Sequence, residues 1–188
     1  KKHNILIVND NPYSFILNEN YLSILSVEGA KEVALELNSL SKSHNMAGWR
    51  VGMLAGNAEY IADVLRFKSN MDSGMFLPIQ AAAVQALSNP PSWYAELNQI
   101  YRRRQQTVFE LLSLLNCIFD TTQTGMFVWA KVPAPYADAY ALSDEILYNK
   151  NVFLTPGGIF GSQGNSYIRI SLCADVSLFE EAIERIKS

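Results

Sequence analysis

Short continuous apolar runs alternate along this chain with longer stretches in which apolar residues recur every three or four positions. Ile5-Leu6-Ile7-Val8 is the first run, the pattern of a strand buried on both faces of a parallel sheet. It ends in Asn9-Asp10-Asn11-Pro12-Tyr13, a turn-rich segment. Residues 33–37 and 50–55 are two further predicted strands. Residues 59–67 place Ile61, Val64, Leu65 and Phe67 at helical spacing, and the alanine-rich segment 76–87 is a second predicted helix. Pro90-Pro91 opens a long helix to about residue 115, since a proline in a first turn removes only an N–H that would be unpaired there anyway. Its apolar stripe is Trp93, Leu97, Ile100, Tyr101, Val108, Leu111, Leu112 and Leu115.

Beyond that helix the elements become shorter. Strands are expected at 117–120, 126–132, 152–154 and 167–172, with a helix at 143–149. Ser177-x-x-Glu180 has the form of a capping box ahead of Phe179, Ala182, Ile183 and Ile186, a short amphipathic closing helix. The fold class is therefore α/β. It divides into a sheet-bearing part over 1–88, a linking helix over 89–115 and a small α+β domain over 116–188. No internal repeat is present.

Composition narrows the function classes. Of 188 residues 49% are apolar, so a packed core is affordable. The net charge of −3 lacks the basic excess of a nucleic-acid binder. No apolar run approaches the length of a membrane span, and no signal peptide is visible, so a cytoplasmic location is the default. Cys117 and Cys173 belong to no Cys/His cluster, which points to two reduced thiols packed as small hydrophobes and to no metal site.

The candidate chemistry lies in residues 39–52, Ser-Leu-Ser-Lys-Ser-His-Asn-Met-Ala-Gly-Trp-Arg-Val-Gly. Lys42 sits among small hydroxyl residues, with glycines and an arginine close behind, as a lysine held for covalent chemistry would. The run resembles the cofactor-lysine signature of class I/II aminotransferases, the fold-type I enzymes that use pyridoxal 5′-phosphate (PLP). Ser39, Ser41, Lys42, Asn45, Met46, Gly48, Arg50, Val51 and Gly52 all fit it. Asn-Met-Ala-Gly-Trp-Arg, together with Asn70-Met71-Asp72-Ser73-Gly74, is most similar to the aspartate, alanine and LL-diaminopimelate aminotransferases.

The resemblance implies a role for each residue. Lys42 would be the Schiff-base lysine and the proton carrier. Asp10 would hold the pyridine nitrogen protonated, and Tyr13, three residues on, would hydrogen-bond the ring oxygen. Ser39 and Arg50 would bind the phosphate. Arg169, in Asn-Ser-Tyr-Ile-Arg-Ile-Ser after Thr155-Pro-Gly-Gly-x-Phe160-Gly161-x-x-Gly164, would grip the substrate carboxylate, with Ile168 and Ile170 on the opposite strand face. Gly48 and Gly52 would be backbone requirements. Phe127, Trp129 and Trp49 are expected to pack, and Arg102–Arg104 to form a solvated helix face.

The resemblance runs from Asp10 to the last helix and is to the C-terminal portion of that fold: the end of the large PLP-binding domain, then the small domain. The N-terminal arm, the phosphate loop, the ring-stacking aromatic and an Asn-Pro-x-x-Pro-Thr-Gly segment do not occur in residues 1–188. The chain alone is therefore expected to be inactive, with unpaired sheet edges. The parent protein is expected to be a homodimeric transaminase acting on an amino acid and a 2-oxo acid. The segment around residues 69–74 would lie near its subunit interface. Two alternatives stay open on the same residues: a PLP-dependent lyase or decarboxylase, or the effector domain of an aminotransferase-like transcription regulator.

Overall fold

A computed structural model describes residues 1–188. The chain forms two compact units, Lys1–Ala95 and Glu96–Ser188.

The first unit is built on a three-stranded sheet in the order β1 (Ile7–Asp10), β2 (Ala34–Ser39), β3 (Gly52–Gly56). β1 and β2 are parallel, with Asn9 opposite Glu36 and Asp10 opposite Leu37. β3 returns antiparallel to β2, with Ser39 opposite Gly52. Helix α1 (Leu40–Ser43) and a 3-10 turn at Ala47–Trp49 fill the β2–β3 connection. Gly52 is required there: a Cβ would come 2.9 Å from the Asn38 carbonyl oxygen. α2 (Ala58–Met71) starts at Asn57, whose side-chain oxygen accepts from the Glu59 and Tyr60 amides. α3 (Leu77–Leu87) carries Pro78 in its first turn, where no intrahelical donor is lost. Its Ala83 packs against Leu40 and Met46, which flank the turn that carries Lys42.

The second unit begins within α4 (Pro91–Leu114). It contains an antiparallel sheet in the order β4 (Phe127–Lys131), β6 (Tyr167–Ser171), β5 (Thr155–Pro156). Alternation decides its faces: Val128, Ala130, Ile168 and Ile170 are buried on one side. Val108, Leu111 and Leu112 of α4 join this core with Leu142 and Ile146 of α5 (Ala139–Lys150), and with Phe179 and Ile183 of α6 (Val176–Lys187). Asp138 caps α5 by accepting from the Ala141 amide, and Asn151 ends it in the left-handed region.

Several expectations need correction. β1 is parallel and pairs with β2 alone, and its side chains are exposed, with Ile7 at 45% and Val8 at 52%. Residues 117–120 form no strand; Ile118 makes one isolated bridge to Lys131 after Asn116 turns the chain at φ 54°. α5 begins four residues before the expected start, at the Asp138 cap. Ser177 lies inside α6; the N-cap is Asp175 and makes no side-chain capping bond. Ile100 of the expected helix stripe is exposed, as is Trp49. Cys117 is buried and Cys173 is exposed. Arg104 is not solvated: it donates to the Leu172 carbonyl and pairs with Asp175 at 2.9 Å. A Cβ on Gly48 would meet nothing; the positive φ near it, 54°, belongs to Arg50.

Candidate active site

Lys42 stands on a tightly held turn. Ser39 caps α1, its hydroxyl accepting from the Ser41 amide at 3.0 Å. The His44 and Met46 amides both return to the Leu40 carbonyl. Next to the lysine, Ser43 and His44 are buried. The His44 ring lies between the Ser43 hydroxyl, 2.8 Å from Nδ1, and the Tyr94 hydroxyl, 3.1 Å from Nε2. Trp93 Nε1–H donates to the Ser43 carbonyl at 2.9 Å. Burial pushes the His44 pKa below the ordinary histidine value, so the neutral ring is favoured. With its neighbours fixed, half-buried Lys42 holds its ammonium 5.7 Å from the centre of the Tyr13 ring.

The Asp10–Tyr13 turn is tied down from the other side of the sheet. Glu36, buried on β2, accepts from Ser23 Oγ at 2.7 Å, the Ile24 amide at 2.8 Å and Asn9 Nδ2 at 3.4 Å. Burial alone would raise the Glu36 pKa. Bonds from Ser23, Ile24, Asn9 and Asn11 outweigh it and hold the carboxyl below its usual value. Asn9 and Asn11 are the two neighbours of Asp10. Further along the turn, Phe15 stacks on Tyr94 with ring centres 5.2 Å apart, which joins this loop to the lysine turn.

Asp10, Ser39 and Arg50 line one depression of about 510 Å³, floored by Leu37 and Leu54. Arg50 is exposed; its Nη1 donates to the Ala47 carbonyl at 2.8 Å, leaving the rest of the fork available. The depression thus carries a carboxylate together with a guanidinium and a hydroxyl. With Ser41, Asn38 and Lys68 also on its lining, that set could hold a phosphate beside a ring nitrogen. Lys42 and Tyr13 do not line it; they form their own adjacent pair.

Arg169 belongs to the second unit, on β6 opposite Trp129 of β4 and Thr155 of β5. It is half-buried, with the Phe160 ring centre 3.8 Å and the Phe127 ring centre 4.3 Å from its guanidinium carbon. Phe127 thus packs against Arg169 itself.

Glu36 and Tyr94 stand outside every motif of the sequence, and Phe160 belongs to the Thr155–Gly164 motif with no role of its own implied there. A charged residue in an apolar strand was a usable signal for Glu36. Tyr94 had none, because its partner His44 is 50 residues away.

The aminotransferase class I and II family description matches residues 1–186. The LL-diaminopimelate aminotransferase of Nitratidesulfovibrio vulgaris is 41% identical over 99% of this chain and 49% of its own. Among solved structures, apo-BacF of Bacillus subtilis superposes with a TM-score of 0.89 at 34% identity, over 99% of this chain and 48% of that one. A probable N-succinyldiaminopimelate aminotransferase of Thermus thermophilus gives 0.89 at 30% identity, over 99% and 50%. The chain spans about half the length of the curated relatives it matches.

Proposed function

The chain belongs to the aminotransferase class I and II family, and on that basis we propose that the protein carrying it is a PLP-dependent aminotransferase moving an amino group between an amino acid and a 2-oxo acid. The observation that carries this reading is the shared depression of Asp10, Ser39 and Arg50, with Lys42 held against Tyr13 on the next turn. Relatives named LL-diaminopimelate aminotransferase make LL-diaminopimelate the first donor to test. A homodimer in the cytoplasm is part of the same proposal. No helix is long and apolar enough to cross a membrane.

When bound, PLP supplies an aldehyde that holds the amino group and a ring that accepts electrons from the substrate α-carbon. Asp10 would keep the ring nitrogen protonated, because a carboxylate beside a pyridinium favours the charged form. Ser39 and Arg50 would hold the phosphate, the planar fork giving direction as well as charge. Tyr13 would donate its phenolic O–H to the ring oxygen. The Lys42 amine would hold the cofactor and would take the proton from the substrate α-carbon. Arg169 binds the substrate carboxylate.

Borohydride reduction of the full-length protein loaded with PLP, followed by peptide mass spectrometry, tests the reading. One reduced adduct on Lys42, absent in Lys42→Ala, is expected. An unmodified Lys42 in the presence of excess PLP would overturn it. Scoring 2-oxo acid against ammonia or carbon dioxide release separates transamination from lyase or decarboxylase chemistry.

A further inference from the structure

Arg169 is a half-buried cation to which the chain supplies no counter-ion. The carboxylates that pair with other arginines, Asp63, Asp175 and Glu181, are bound to Arg66, Arg104 and Arg185. What Arg169 does have is an aromatic ring at 3.8 Å and another at 4.3 Å, from Phe160 and Phe127. A guanidinium is flat and weakly hydrated, and aromatic rings stack well on its faces. Covering the faces leaves the in-plane N–H groups as the open donors. These are the ones that a carboxylate takes up in a bidentate pair.

The loop that carries Phe160 is itself built to this purpose. A Cβ on Gly157 would come 2.6 Å from the Gly164 carbonyl oxygen and 2.7 Å from Trp129 Cζ3. Only glycine therefore lets residues 157–164 close down against β4 and β6. The edge of Trp129 then meets Phe160, with ring centres 5.7 Å apart at 71°. Two strands and one loop thus converge on Arg169.

We propose that Phe127 and Phe160 are positioning residues that hold the Arg169 guanidinium edge-on for the substrate carboxylate. The proposal rests on the reading of Arg169 given above. Neither ring needs to touch the reacting atoms. Each acts by removing rotational freedom from the arginine before substrate arrives, so its loss weakens recognition of a carboxylate and not of an amine.

The test uses the full-length, PLP-loaded protein and two donors. LL-diaminopimelate carries carboxylates; 1,5-diaminopentane is the same skeleton without them. Where the donor screen selects another amino acid, that one and its decarboxylated amine replace the pair. In Phe160→Leu, KM for the amino acid is expected to rise about tenfold with little change in kcat, so the preference for amino acid over amine falls about tenfold. Phe160→Tyr keeps the ring and restores the preference, and Phe127→Leu behaves as Phe160→Leu does. Arg169→Lys is the control. If it leaves the preference intact, the reading of Arg169 itself is wrong. If it collapses the preference while Phe160→Leu does not, or if Phe160→Leu weakens both donors equally, the aromatic clamp is wrong and the Arg169 assignment stands.

Discussion

The two units of this chain bury very different numbers of apolar side chains. Twenty of the 27 buried apolar residues belong to Glu96–Ser188, and seven to Lys1–Ala95. The second unit closes around Val108, Leu112, Val128, Leu142, Ile168 and Leu172, all essentially inaccessible. The first exposes Val64, Leu65 and Phe67 of α2, Leu77 and Val84 of α3, and the β1 edge. Yet the first unit carries the lysine turn and the depression lined by Asp10, Ser39 and Arg50. It holds them with polar and aromatic contacts around Glu36, His44 and Tyr94, where the second unit relies on apolar packing. With few buried apolar side chains, the lysine turn and the depression depend on these directional bonds.

Mutations should separate the two strategies. The largest effect is expected in the second core: Leu112→Ala or Leu142→Ala should cost about 2–5 kcal/mol, read by denaturant unfolding. The exposed Leu65→Ala should stay within about 0.5 kcal/mol. Equal losses would abolish the contrast. Gly157→Ala comes next, at about 1–3 kcal/mol, because its methyl group has no room beside Gly164 and Trp129.

In the first unit, Glu36→Ala should cost about 1–3 kcal/mol by leaving the Ser23 hydroxyl and Ile24 amide without an acceptor. Because the folded-state pKa of Glu36 is lowered, its stabilisation is present above its ordinary value of 4.5 and is lost as pH falls through the folded value. Glu36→Gln should therefore flatten the acid limb of a stability profile. His44 has the same sign for a different reason. Burial lowers its pKa, so below its ordinary 6.5 the unfolded chain takes up the proton first and stability falls with pH. His44→Gln should remove that component, and an unchanged slope would show that the ring is not desolvated in solution.

The smallest effect distinguishes the thiols. Burial raises the Cys117 pKa to about 11, while Cys173 is exposed. A thiol reagent near neutral pH should label Cys173 in the folded protein and reach Cys117 only on unfolding.

Much of this was legible in the chain. Period-two alternation located β4 and β6, and apolar runs located β2 and β3 within a residue or two, because burial of one face constrains every second position. The faces of α4 followed from its stripe, apart from Ile100. Element starts were harder. α5 starts at Ala139 because the Asp138 capping bond decides it, and α6 starts after Asp175 without a Ser177–Glu180 box. For the site, Asp10, Tyr13, Ser39, Lys42, Arg50 and Arg169 were all named from their motifs. Their supports Glu36 and Tyr94 were not, and Phe160 was legible only as part of the motif ahead of Arg169.

By itself the sequence determined which groups are available and which family they belong to. A lysine between hydroxyl residues, an acid at a strand end and an arginine on an alternating strand are local patterns, written in neighbouring residues. Only the tertiary structure decided which distant groups meet. Residues 27 positions apart pair as Asn9 and Glu36, and residues 50 apart as His44 and Tyr94. Phe127, Phe160 and Arg169 come from separate strands and a loop. Such contacts depend on strand register and on glycines that permit close approach, and no local pattern records them.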